Sequence, residues 1–118
     1  MEKIPLVLVP GLLCDDALWR LQIEGLSDVA ESTVGNTLQD ASISDMAERI
    51  LTAAPDRFAL AGLSMGGYVC MEIMCRAPER VERLALLDTT ARADSVEQYK
   101  RRKGLIELAK IGKFRGVT

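Results

Sequence analysis

One stretch constrains this chain more than any other: FALAGLSMGGYV, residues 58 to 69. Four apolar residues run into Gly62. Ser64 then stands two residues from Gly62 and two from Gly66, with Gly67 next, before apolar residues resume. A short, wholly apolar run of this kind reads as a strand buried on both faces, as in a parallel sheet. The residues from about Met65 read as a helix, apolar on nearly every side and ended before Pro78. Ser64 therefore falls at a sharp strand-to-helix junction. Such a bend forces its central residue into strained backbone angles. Glycines on either side let the two backbones approach without Cβ clashes. The hydroxyl is then offered at a helix N-terminus, where free N–H groups and the helix dipole favour negative charge. The competing reading is a glycine-rich turn whose serine only caps the helix.

The rest of the chain repeats the alternation. Leu6–Val9 reads as a short buried strand stopped by Pro10-Gly11. A helix follows, with Asp15 or Asp16 as N-cap, Leu18, Leu21 and Ile23 as apolar positions, and Gly25 as its stop. VAESTV, residues 29 to 34, is a more polar strand expected near an edge. The helix SISDMAERILTAAP has Ser42 and Asp45 at capping-box spacing and a stripe of Met46, Ile50 and Leu51, and closes at Pro55. VERLALLD, residues 81 to 88, is expected to be another buried strand. Strand and helix in turn predict βαβ units, a parallel sheet and an α/β fold with flanking helices. After Asp88 the pattern changes to a polar loop. A long helix over 95–114 follows, with Ser95 and Gln98 as a capping box and Leu105, Leu108 and Ile111 as its apolar side.

Composition narrows the functional classes. The 118 residues carry a formal net charge of −2, which gives no reason to expect nucleic acid as a partner. The charge is uneven: from Arg92 onward eight Lys/Arg face three Asp/Glu, against seven and fourteen before it. That break divides the chain at about residues 1–91 and 92–118. The apolar runs are too short to cross a bilayer, and MEKIPLVLVPG is too brief for a signal peptide, so no membrane partner is expected. Cys14, Cys70 and Cys75 show no C-x-x-C spacing, and the chain has no histidine. A reduced, cytoplasmic setting is the simplest reading, with neither metal nor cofactor expected.

Residues 62 to 66 form the G-x-S-x-G pattern in its required strand–turn–helix setting. Acyl transfer from such a serine needs two N–H donors for the developing oxyanion. One is the N–H of Met65, the residue after the nucleophile. The other comes from the loop after an earlier strand, and Leu12 in LVLVPGLL is the candidate. An ordinary strand-to-helix loop is the alternative reading of that segment.

The segments LVLVPGLLCDDALW, FALAGLSMGG, PERVERLALLDT and ARADS together resemble the N-terminal half of an α/β-hydrolase fold protein. The similarity is closest to small carboxylesterase-like and enol-lactonase-like members that carry a helical cap. The resemblance implies Ser64 as nucleophile, an elbow shaped by Gly62, Gly66 and Gly67, and an oxyanion hole from the N–H groups of Leu12 and Met65. It implies that residues 1–91 are the first half of the hydrolase core and that 92–118 begin a cap. The implied substrate is a small-molecule ester or lactone, cleaved through an acyl-enzyme. In this fold the acid and histidine of the triad follow later strands, so the chain reads as an N-terminal portion lacking its general base. Four or five strands are visible, whereas eight at roughly 30 residues per βαβ unit need well over about 200 residues.

The remaining residues are read more plainly. Asp88 could act as a triad acid in variants that take it from an earlier strand; capping of the following turn is the simpler role. Asp15 and Asp16 are explained by the helix start, Cys14 by burial, and KRRK at 100–103 by a solvated helix face. Trp19 and Tyr68 are candidate pocket walls. Two rival functions stand beside ester hydrolysis. One is an acyl-carrier thioesterase or acyltransferase using the same serine. The other is an inactive module whose unpaired sheet edge drives homodimerisation or pairing with the missing C-terminal half.

Overall fold

A computed structural model describes residues 2–112. Its elements are β1 (Ile4–Val9), α1 (Arg20–Gly25), β2 (Ala30–Val34), α2 (Ile43–Ala53), β3 (Phe58–Leu63), α3 (Met65–Arg76), β4 (Val81–Leu87) and α4 (Val96–Lys110). Single 3-10 turns, Asp16–Trp19 and Pro78–Arg80, lead into α1 and β4. Four parallel strands pair in the order β2-β1-β3-β4. This is the expected α/β architecture. The end of the expected last helix, Lys113 and Phe114, lies outside the described residues.

The elements start where their caps predict. Asp15 accepts a hydrogen bond from the Ala17 N–H at 3.0 Å, and Ser42 accepts one from the Asp45 N–H at 3.0 Å. Ser95 and Gln98 form the full capping box of α4. At the C-terminus of α2 a side chain does similar work. The Arg80 guanidinium donates to the carbonyls of Leu51, Ala54, Pro55 and Asp56 at 2.8 to 3.1 Å, and lies over the Phe58 ring. It collects carbonyls from the last turn of α2, its C-cap and the two residues beyond, where the helix itself supplies no donor.

The core is built on both faces of the sheet. On one, Val7, Val9, Phe58 and Leu60 pack against Met46, Ala47 and Ile50 of α2 and Val69, Cys70 and Ile73 of α3. Fully burying side chains such as Phe58, Leu60 and Ile73 stabilises the fold by roughly 1.5–3 kcal/mol each. On the other face Leu8 and Ala61 pack against Trp19, with Ile23 and Val34 beside them.

Three expectations are corrected here. Trp19 is not a pocket wall: it is 5% exposed and seals the second face, while Leu18 and Leu21 point outward. The 3-10 turn explains this, since it changes the helical phase ahead of α1 and turns Trp19 and Ile23 inward together. The strand β4 is not buried. It is the last strand of the sheet, its outer side has no neighbour among the described residues, and Leu84, Leu86 and Leu87 are 41–43% exposed. On α4 the half-buried positions are Leu105 and Ala109, whereas Leu108 and Ile111 are exposed. The inward side is set by Arg102, whose guanidinium lies over the Tyr68 ring and donates to its hydroxyl at 3.3 Å.

Candidate active site

The strand order places one crevice. From β1 the chain goes to β2 on one side of the sheet, and β3 then pairs on the other. The helices that follow β1 and β3 therefore lie on opposite faces of the sheet, and the strand ends between them are where open α/β sheets bind ligands. Gly11 to Cys14 follows β1, and Ser64 follows β3 directly. Among the described residues three that are not glycine have positive φ: Leu13 at 61°, Ser64 at 53° and Asp88 at 52°. Each lies just beyond the C-terminal end of one of the adjacent strands β1, β3 and β4. Backbone strain in a fold concentrates at working sites, at a cost of about 1–3 kcal/mol per residue.

Ser64 occupies the N-cap position of α3 with φ 53° and ψ −114°. Its side chain makes no capping hydrogen bond, and the residue is exposed. The alternative reading, a serine that merely caps its helix, does not describe this geometry. The backbone is pinned instead. The Ser64 N–H donates to the Leu87 carbonyl at 3.0 Å, and the Gly67 N–H donates to the Ser64 carbonyl at 2.9 Å.

Each glycine of the elbow answers to a specific neighbour. A Cβ on Gly62 would lie 2.6 Å from the Cys70 sulfur and from the Gly66 carbonyl carbon. One on Gly66 would lie 2.8 Å from the Pro10 oxygen, with the Val9 oxygen closer still. One on Gly67 would strike the Thr89 side chain at 2.5 Å. The helix is thus seated directly on the ends of β1 and β3. Cys70 beneath it is fully buried, and burial pushes its thiol up to about 12.

The loop after β1 reaches the same place. The Cys14 N–H donates to the Gly11 carbonyl at 3.1 Å, closing a tight turn around Leu12 and Leu13. A Cβ on Gly11 would lie 3.8 Å from the Ser64 Cβ and 3.9 Å from the Cys14 sulfur, so the start of the turn faces the serine. Neither the Leu12 N–H nor the Met65 N–H has an acceptor among the described residues. Free N–H groups beside an exposed hydroxyl can take up negative charge that develops near it.

Asp88 stands between the two β4-end residues that grip Ser64, Leu87 and Thr89. Its carboxylate has no hydrogen-bond partner among the described residues. Capping of the following turn falls to Thr90, whose hydroxyl accepts from the Arg92 N–H at 3.1 Å, and not to Asp88. Tyr68, one turn into α3, is half-buried beneath Arg102, and Asp94 pairs with Arg102 at 3.4 Å. Among the described residues no three His, Cys, Asp or Glu side chains gather as for a metal ion. Nor, among the described residues, is any helix long and apolar enough to cross a membrane. Sequence reasoning missed Thr89, which donates to the Ser64 carbonyl at 2.9 Å. Nothing in TT following LALLD distinguishes it from loop residues.

No family model matches the chain. Individual proteins do. A pimeloyl-[acyl-carrier protein] methyl ester esterase of Aliivibrio salmonicida is 28% identical over 99 residues, which are 77% of this chain and 38% of that relative. A thermophilic esterase from Thermogutta terrifontis superposes with a TM-score of 0.75 at 30% identity, covering 88% of this chain and 43% of its own. The enol-lactonase of Burkholderia xenovorans superposes with a TM-score of 0.72 at 26% identity, covering 91% and 46%. The chain thus spans less than half the length of each. With its four-stranded parallel sheet and these superpositions, the chain carries part of the α/β-hydrolase fold.

Proposed function

We propose that this chain supplies the nucleophile and oxyanion hole of a serine hydrolase acting on small esters or lactones. The observation that carries the reading is Ser64 itself: exposed, at φ 53° and free of any capping bond, while the Met65 N–H that follows it and the Leu12 N–H of the β1 loop have no acceptor among the described residues. The names of the relatives, an esterase, a methyl ester esterase and an enol-lactonase, supply the substrate class. In this reading the Ser64 oxygen attacks the substrate carbonyl. The N–H groups of Leu12 and Met65 hold the oxyanion. The alcohol leaves, and water releases the acid from the acyl-serine. A serine hydroxyl is a weak nucleophile without an adjacent base. The chain contains no histidine, so that base comes from polypeptide outside these 118 residues. Residues 1–91 form the core in this account, and α4 begins a cap, held against α3 by Arg102 and Tyr68.

An alkyl fluorophosphonate probe tests the reading. Oxyanion-hole and binding contributions alone leave about 10³–10⁴ of rate over water when a triad member is missing. Slow uptake of one adduct at Ser64, abolished in Ser64→Ala, is the expected result. Equal labelling of the two proteins would end the proposal. Turnover of thioesters in preference to oxygen esters would move the assignment to a thioesterase or acyltransferase.

A second reading is favoured by β4. Its outer edge is unpaired among the described residues and its Leu84, Leu86 and Leu87 are partly exposed. Long apolar edges recruit further strands. This supports a pairing role, either with a second copy or with the remainder of a hydrolase sheet. A dimer without esterase turnover is its expected signature; a monomer that hydrolyses esters would contradict it.

A further inference from the structure

The carbonyl of Ser64 holds two donors. One is the Gly67 N–H at 2.9 Å, three residues on, a 3-10-type bond that opens α3. The other is the Thr89 hydroxyl at 2.9 Å, which arrives from the loop after β4. Gly67 is what lets it arrive, since any Cβ there would occupy the position of the Thr89 side chain. A trans peptide group is planar, and its C=O and N–H point in opposite directions. The Ser64 carbonyl and the Met65 N–H belong to one such plane. Whatever fixes the first therefore aims the second.

We infer that Thr89 is a positioning residue for the oxyanion hole: by holding the Ser64 carbonyl, it points the Met65 N–H at the site beside the Ser64 hydroxyl. This rests on the reading of Ser64 as nucleophile. Two effects combine. The bond holds ψ of Ser64 at its strained value of −114°, where relaxation would rotate the whole peptide plane and carry the N–H away. A donor on the carbonyl also polarises the same amide, strengthening its N–H as a donor by roughly 10–30%. The Leu87 carbonyl, bonded to the Ser64 N–H at 3.0 Å, holds the preceding plane in the same way. Both planes that flank the serine are thus anchored from the end of β4.

The test compares Thr89→Val, which keeps the shape over Gly67 and removes the hydroxyl, with Thr89→Ser, which keeps the hydroxyl. Two readouts are taken on the whole chain: the rate of fluorophosphonate labelling at Ser64, and the amide resonance of Met65 in a ¹H–¹⁵N spectrum. Removing an oxyanion donor costs about 10²–10³ in rate, so turning one away is expected to slow labelling about tenfold or more in Thr89→Val. The Met65 amide should move in the same variant. Thr89→Ser should restore both, with labelling within about threefold of the parent on the same scale. Parent-like labelling and an unmoved Met65 amide in Thr89→Val would overturn the inference, as would a Thr89→Ser variant impaired equally in both. A parent chain that takes no label counts against the nucleophile reading alone. The Met65 amide then decides the role of Thr89 by the same comparison.

Discussion

Substituting Gly66 by alanine sets two effects of opposite sign against each other. Alanine is favoured over glycine in a helix by about 1 kcal/mol. On propensity alone, Gly66→Ala in α3 should stabilise. The structure places the new methyl 2.8 Å from the Pro10 oxygen and the Val9 carbonyl carbon, with the Val9 oxygen nearer. Carbon and carbonyl oxygen rarely approach below about 3.3 Å. Set by the nearest of these, the Val9 oxygen, the helix or the end of β1 must therefore move by about an ångström. The end of β1 is hydrogen-bonded into the sheet at Val9 and Gly62, and cannot yield cheaply. Overpacking of this kind costs about 1–3 kcal/mol, and here the obstacle is backbone on every side, so the upper end applies. The expected net change is a loss of about 2 kcal/mol, a large share of the 5 kcal/mol or so that holds a small domain. Gly104→Ala is the matched control. Nothing lies within 4 Å of that position, so only the propensity gain remains. Urea unfolding followed by circular dichroism separates the two. With a slope of about 1–3 kcal/mol per molar, Gly66→Ala should lower the midpoint by about 1 M, while Gly104→Ala should leave it unchanged or raise it. A Gly66→Ala variant as stable as the parent would refute the seating of α3 on β1.

Other perturbations follow the same reasoning. Arg80→Ala strips four carbonyls at the end of α2 of their donor and is expected to cost about 2 kcal/mol in urea unfolding, with Arg80→Lys recovering only part. Cys70 gives a pH signature. Its thiol is raised from 9.0 to about 12 by burial, so the folded state holds the proton where the unfolded state releases it. Its contribution is therefore complete below pH 9 and is lost as the pH rises toward 12, at about 1.4 kcal/mol per pH unit. Unfolding midpoints at pH 9 and pH 10.5 should fall more steeply for the parent than for Cys70→Ala; parallel slopes would contradict the burial argument. Leu84→Lys places a charge on the open strand β4, and should reduce any self-association seen by analytical ultracentrifugation without loss of helical signal.

Much of this architecture is written in local patterns. The apolar runs of β1 and β3, the caps at Asp15, Ser42 and Ser95, and the glycines around Ser64 each act within a few residues, and each appears where the sequence predicts. The failures share a cause. Whether VERLALLD is buried depends on which strand lies beyond it, and apolar composition alone cannot reveal a sheet edge. The inward side of α4 is chosen by Arg102 on Tyr68, 34 residues apart in sequence, and not by the leucine spacing. Trp19 turned inward because a 3-10 turn shifted the helical phase. At the site, Ser64 was legible through the glycines that crowd it. Thr89 was not, because its one hydrogen bond reaches a backbone atom 25 residues away.

The central claim is that the Ser64 hydroxyl faces N–H groups ready to receive negative charge. A crystal structure of the fluorophosphonate adduct tests it most directly. Phosphorus bonded to the Ser64 oxygen is expected, with the phosphoryl oxygen about 3 Å from the nitrogens of both Leu12 and Met65. An adduct on any other residue, or a phosphoryl oxygen turned away from both amides, would contradict it.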